Sequence, residues 1–181
     1  FPPPAAPTRG FDYQQHLHNR SHPDILPFLG RLRALLDSHG AHFSVAEIGG
    51  EDPEAEMQRF TTGSDLLHSA YSFRFLTAES LRADFVRAIL QQWPGAAGEG
   101  WPSWAFSNHD APRHVTRWAA AANRERMARL SMLLLVAMRG NIFLYQGEEL
   151  GLPQAEVPFE RLRDPDAIAN WPNSLGRDGA R

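Results

Sequence analysis

Short apolar segments alternate with amphipathic helical ones along this chain, and that alternation limits its possible folds more than any composition figure. His42-Phe43-Ser44-Val45-Ala46-Glu47-Ile48 is apolar and β-branched, the pattern of a buried strand closed by Gly49-Gly50. Three more strands are predicted over residues 67–75, 104–107 and 141–145. Helices are predicted before and between them. After Pro23-Asp24, Ile25, Phe28, Leu29, Leu32, Leu35 and Leu36 share one helix face, and Gly40 stops it. A weaker helix covers 53–60, broken by Thr62-Gly63-Ser64-Asp65. Thr77 is expected to cap a helix with the stripe Leu81, Phe85, Ile89 and Trp93, ending at Pro94-Gly95. Asn123 is expected to cap a long helix through Met127, Leu130, Leu134 and Met138, stopped by Gly140. Strand ends fall near Glu47, Phe73, Asn108 and Tyr145, roughly 30 residues apart, the scale of βαβ units in a parallel sheet. Half a (β/α)8 TIM barrel and half an open doubly wound sheet both fit.

Composition excludes several chemistries. All 18 basic residues are Arg, so no Schiff-base, pyridoxal-phosphate or P-loop lysine is present in this stretch. With no Cys there is no disulfide framework and no thiolate site. The net charge of −3 gives no reason to expect nucleic acid or an anionic membrane as partner. The apolar run from Met132 to Met138 falls far short of the ~20 residues of a membrane span. No export signal is visible, and the expected compartment is the cytoplasm. A closed barrel takes about 250 residues, against 181 here. The chain also opens in a proline-rich stretch, Phe1-Pro2-Pro3-Pro4, without a Met. We therefore expect residues 1–181 to be one partial domain, a stretch of a longer chain.

In a TIM barrel the reactive groups gather at the C-terminal ends of the strands. Those positions here hold Glu47, then Asn108-His109-Asp110, then Gln146-Gly147-Glu148-Glu149. Each alone has a plainer reading. Glu47 fits a solvated strand-end carboxylate, Asn108 to Asp110 fit turn chemistry, and Glu148-Glu149 fit a charged first helical turn on the helix dipole. For the last pair the plain reading is the expectation.

Together, Val45-Ala46-Glu47, Phe106-Ser107-Asn108-His109-Asp110, Tyr145-Gln146-Gly147-Glu148-Glu149-Leu150-Gly151 and Gly176-Arg177-Asp178-Gly179-Ala180-Arg181, in this order, resemble the α-amylase superfamily, glycoside hydrolase family 13. Within it the chain looks most similar to the α-glucosidases and oligo-1,6-glucosidases. The resemblance implies about strands five to eight of the catalytic TIM barrel. It also implies a retaining α-glucosidase acting on α-glucoside oligosaccharides, with no cofactor.

By that resemblance Glu47 is the acid/base. It would protonate the leaving oxygen and then, ionised, deprotonate the incoming water or sugar hydroxyl. Asp110 is the carboxylate that binds the −1 sugar and favours its distorted, oxocarbenium-like form. His109 would bond the same sugar, Arg177 or Arg181 would supply an arginine to it, and Phe73 would stack beside the cleaved bond or serve as a core aromatic. The nucleophile, an Asp in an Arg-x-Asp context, has no counterpart here; Asp12 and Asp24 lack that context. No retained strand end forms a convincing metal cluster. The resemblance leaves two alternatives: a glucosyl transferase or isomerase of the same superfamily, such as a trehalose synthase or a sucrose-acting relative, and a non-catalytic relative.

Overall fold

The computed structural model describes residues 16–49, 52–93, 95 and 99–174. They fall into two units, 21–154 and a smaller one whose described residues are 16–20 and 155–174.

In the larger unit the order is α1 (Ile25–Ser38), β1 (Val45–Ile48), α2 (Pro53–Thr61), β2 (Ser69–Ser72), α3 (Arg74–Thr77), α4 (Ala83–Gln91), β3 (Ser103–Ala105), α5 (His114–Trp118), α6 (Arg124–Ala137) and β4 (Asn141–Phe143). β1 pairs with β2 and β3 with β4, both parallel, and a parallel bridge from Ala70 to Pro102 links the two pairs. All four strands therefore end on the same side. The parallel α/β expectation holds, and every predicted strand exists, though each is shorter than its apolar run.

At the N-terminal ends of the strands, buried hydroxyls set the register. Ser69 Oγ lies 2.6 Å from Ser103 Oγ and donates to Trp101 O, and Asn141 Nδ2 donates to both serines at 3.1 and 3.3 Å. Ser44 Oγ meets His68 Nδ1 at 2.8 Å, tying the start of β1 to that of β2. Such paired polar groups cost little to bury, and they fix one alignment of otherwise interchangeable apolar strands. The core between sheet and helices is built from Met57, Phe75, Ile89, Trp104, Phe106 and Leu135, all 2 % exposed or less. Gly40 and Gly140, the expected helix stops, take φ of 115° and 142°, which only glycine adopts without strain. A side chain at Gly140 would also strike Pro102 O at 2.7 Å.

Three local expectations are corrected. The second strand stops at Ser72, and Phe73 is the N-cap position of the short helix α3 instead of extending the strand. Thr77 ends α3 rather than capping the next helix, its Oγ1 donating back to Phe73 O, and α4 starts only at Ala83. On α6 the buried residues are Ser131 and Leu135, with Leu130 52 % exposed. Its second half, Leu130–Ala137, is apolar on every side but for Ser131, so its period there does not select a face, and a polar partner described below does.

In the smaller unit α7 (Pro165–Ser174) follows a 3-10 turn at Phe159–Arg161. Asp164 Oδ2 accepts from Ala167 N, and the rings of Phe159 and Trp171 lie 5.2 Å apart. Among the described residues no helix is long and apolar enough to cross a membrane.

Candidate active site

The parallel register places Glu47 directly opposite Tyr71 near the C-terminal ends of β1 and β2. Glu47 is exposed and Tyr71 half-buried. The Tyr71 hydroxyl lies near the Glu47 carboxylate and the Asn108 side chain, within the field of Asp110. Burial, then the charge of Glu47, pushes the phenol up to about 12, so it keeps its proton and serves as a donor. Its ring stands 5.8 Å from Phe143 on β4 and 6.4 Å from Phe73. A side chain at Gly49 would touch the Phe73 ring at 3.9 Å, so that ring lies beside the end of β1. One tyrosine thus gathers groups from all four strand ends.

Asn108, His109 and Asp110 follow β3. Asn108 Oδ1 accepts from the backbone N–H of Asp110 at 3.0 Å and of Ala111 at 2.9 Å, a tight side-chain-closed turn. The turn chemistry expected of this tripeptide is real, and it aims the residues instead of competing with a role for them. His109 Nε2 and Asp110 Oδ1 are 3.4 Å apart, with both side chains more than half exposed. They are open to a ligand.

The segment after Asp110 is fastened from beneath. Arg117, partly buried, donates to Pro112 O, Phe75 O, Ala78 O and Phe106 O, joining the ends of β2 and β3. Burial lowers its guanidinium to about 10, opposed by the charge of Glu148, and it stays cationic at neutral pH. Glu148 itself is a correction. It is only 2 % exposed, lies in a turn instead of a helix, and pairs with the buried His114 at 2.7 Å. A carboxylate removed from water needs such a partner, and the partner comes from a distant segment that local pattern does not reveal.

A second buried carboxylate flanks the site. Glu54 at the start of α2 is 2 % exposed and sits 3.1 Å from Arg74 Nε, tying the segment after Glu47 to that after Phe73. Burial raises its pKa above the ordinary 4.5, with Arg74 opposing.

Of the six residues expected to form the site, the structure brings Glu47 and Asp110 around Tyr71, sets His109 beside Asp110, and sets Phe73 beside the end of β1. Arg177 and Arg181 lie outside the described residues, as does Asp12. Asp24 precedes α1, exposed beside His22. Tyr71 was not singled out from sequence. The available signal was its place two residues before Phe73, in the second predicted strand; its register opposite Glu47 comes only from the structure. Among the described residues no group of three or more His, Asp or Glu converges as a metal site.

The catalytic domain of alpha amylase, as a family, matches residues 3–181. A probable alpha-glucosidase of Rhizobium meliloti (strain 1021) is 42 % identical over 173 residues, covering 94 % of this chain and 31 % of that protein. A glucan 1,6-alpha-glucosidase of Streptococcus dysgalactiae subsp. equisimilis is 35 % identical over 140 residues, 69 % of this chain and 26 % of that one. Among solved structures, the alpha-glucosyl transfer enzyme XgtA superposes with a TM-score of 0.82 at 45 % identity, over 96 % of this chain and 32 % of that one. The chain spans about a third or less of the length of these relatives.

Proposed function

This chain belongs to the alpha-amylase catalytic-domain family, glycoside hydrolase family 13, and from that membership we propose that it supplies the acid/base and sugar-binding side of a retaining α-glucosidase site. The observation that carries the proposal is that Glu47, opposite Tyr71, and the Asn108–Asp110 turn lie at the C-terminal ends of neighbouring parallel strands. In this reading residues 1–181 form part of one catalytic barrel.

Glu47 gives its proton to the glycosidic oxygen as the bond to the anomeric carbon breaks. It then takes a proton from the incoming water. Tyr71, opposite Glu47 in the register and protonated at every working pH, is placed to steady the carboxylate between the two steps. Asp110 and His109 bond hydroxyls of the sugar on the non-leaving side, and those bonds tighten as the ring flattens toward the oxocarbenium-like transition state. Phe73 offers a ring for the sugar face to pack on. Arg177 and Arg181 remain candidates for a guanidinium on the same sugar. The covalent step needs a second carboxylate about 5–5.5 Å from the acid, and none of the residues named here is assigned to it.

A second reading, glucosyl transfer to a sugar acceptor, is favoured by the 45 % identity to an alpha-glucosyl transfer enzyme. Both readings use Glu47 and Asp110 alike and differ only in what the ionised Glu47 deprotonates. Incubating the complete enzyme with maltose, isomaltose or sucrose separates them. Glucose released first as the α-anomer supports retaining hydrolysis, and new oligosaccharides or sucrose isomers support transfer. Release of the β-anomer, or no turnover of any α-glucoside, refutes the proposal.

A further inference from the structure

Ser107, His114, Ser131 and Glu148 form a buried polar cluster, each 3 % exposed or less, drawn from the end of β3, α5, α6 and the turn after β4. Its protons can be followed. Ser131 Oγ donates to Met127 O at 2.6 Å, so it accepts from His114 Nε2 at 2.7 Å. On the other side of the ring, Nδ1 lies 2.7 Å from Glu148 Oε1 and 3.1 Å from Ser107 Oγ. The Nδ1–Oε1 approach is an ion-pair contact. Ser107 Oγ also accepts from the His114 backbone N–H at 3.0 Å, and Glu148 Oε2 accepts from Tyr145 N at 3.0 Å.

The placement of these bonds matters more than their number. Ser107 and His114 clamp the two ends of residues 108–113, the loop that carries Asn108, His109 and Asp110. Glu148 closes the turn after β4 and holds His114. Beside it Arg113 donates to Gln146 O at 2.7 Å and lies over the Tyr145 ring at 4.8 Å. The loop is therefore sewn to the next strand's turn at both neighbouring positions, 113 and 114. An apolar core would hold α5 and α6 together without this cluster. What the cluster adds is a fixed distance between the Asp110 loop and the adjacent turn, since buried hydrogen bonds tolerate far less displacement than apolar contacts.

We propose that His114 and Glu148, with Ser107, are a buried positioning couple that holds Asp110 and its turn in the geometry the sugar site requires. Neither residue touches substrate. The kinetic part rests on the glucosidase reading above, whereas the structural part does not. Glu148→Gln keeps the shape and the Tyr145 contact but removes the charge facing His114, and Ser107→Ala removes the clamp with minimal loss of volume.

In the complete enzyme both variants are expected to speed amide hydrogen exchange at Asp110 and Ala111 by about tenfold or more, while exchange in β1 stays as in the parent. Turnover number should fall, on the order of a hundredfold for a displacement near 1 Å, with KM within about threefold, because Asp110 bonds more tightly in the transition state than in the ground state. The double variant should be no slower than Glu148→Gln alone, as members of one unit are not additive. Unchanged exchange at Asp110 and Ala111 overturns the proposal, and so does exchange that rises equally in β1. If Glu148→Gln does not fold, Ser107→Ala decides by the same criteria. If the parent has no glucosidase activity, the glucosidase reading falls and the exchange measurement still decides this one.

Discussion

Replacing Phe106 by Ala tests whether the core beneath the Asp110 loop is as rigid as its contacts imply. The side chain is 1 % exposed. Its ring centre lies 4.9 Å from that of Phe75, 5.1 Å from Trp118 and 6.0 Å from His114. Phe-to-Ala changes in cores cost about 3–5 kcal/mol, the spread reflecting how far the walls collapse into the void. Here they are pinned. Phe75 is wedged edge-on against Phe85 and Trp104, Trp118 Nε1 donates to Ala78 O at 2.8 Å, and Arg117 is bonded to the Phe106 carbonyl itself. The cost should therefore reach the upper half of the range, about 4–5 kcal/mol. Urea unfolding of the complete protein, followed by far-ultraviolet circular dichroism, reads this directly. The change in midpoint multiplied by the slope measured for the parent should come to about 4–5 kcal/mol. Arg129→Ala is the control, as the exposed Glu125–Arg129 pair contributes about 0.5 kcal/mol or less. A loss under about 2 kcal/mol for Phe106→Ala would show that the aromatic cluster relaxes, and the rigid support claimed for Asp110 would fail with it.

Two more outcomes follow from the buried ionisable groups. Glu54 has a native pKa raised by burial, so the folded state binds its proton more tightly than the unfolded chain, and stability should decline as pH rises from 4.5 through the raised native value. Glu54→Gln should flatten that part of the profile of melting temperature against pH, and an unaltered profile would refute the assignment. Tyr71→Phe removes the hydroxyl beside Glu47 while keeping the ring against Phe143. Turnover should fall by about tenfold or more with little loss of stability, and in the parent one tyrosine should titrate near 12 by absorbance near 295 nm. A parent with every phenol titrating near 10, or a variant with full turnover, would remove Tyr71 from the site.

The parts of this fold readable in sequence were those set by local rules. Apolar periodicity and glycine stops located α1 and α6, whose carboxyl ends are followed by Gly40 and Gly140 at positive φ. Asp52 accepting from Ala55 N, with Pro53 next, explains why the weakly patterned α2 forms at all. The strand-end carboxylates stood out because ionisable residues after apolar runs are unusual. What pattern could not show was pairing between distant segments. Ser131 turns inward on α6 because His114 waits there, and His114 is buried because Glu148 meets it from beyond the fourth strand. Each looks like a surface residue until its partner is placed. The second strand ends before Phe75 for a related reason. The apolar run continues through Phe75, but the Ser72 hydroxyl accepts from Arg74 N and the backbone turns into a helix. Tyr71 carries no charge and matters only through its register with Glu47, which local pattern does not show.

The most direct test of the central claim is turnover of the complete enzyme carrying Glu47→Gln, measured on a sugar-leaving-group substrate such as maltose and on an aryl α-glucoside with a good leaving group. A general acid at Glu47 predicts a loss of about 10²–10⁴-fold on maltose and a much smaller loss in the glucosylation step of the aryl substrate, whose leaving group needs no proton. Equal losses on both substrates, or turnover of maltose at the parent rate, would contradict the assignment.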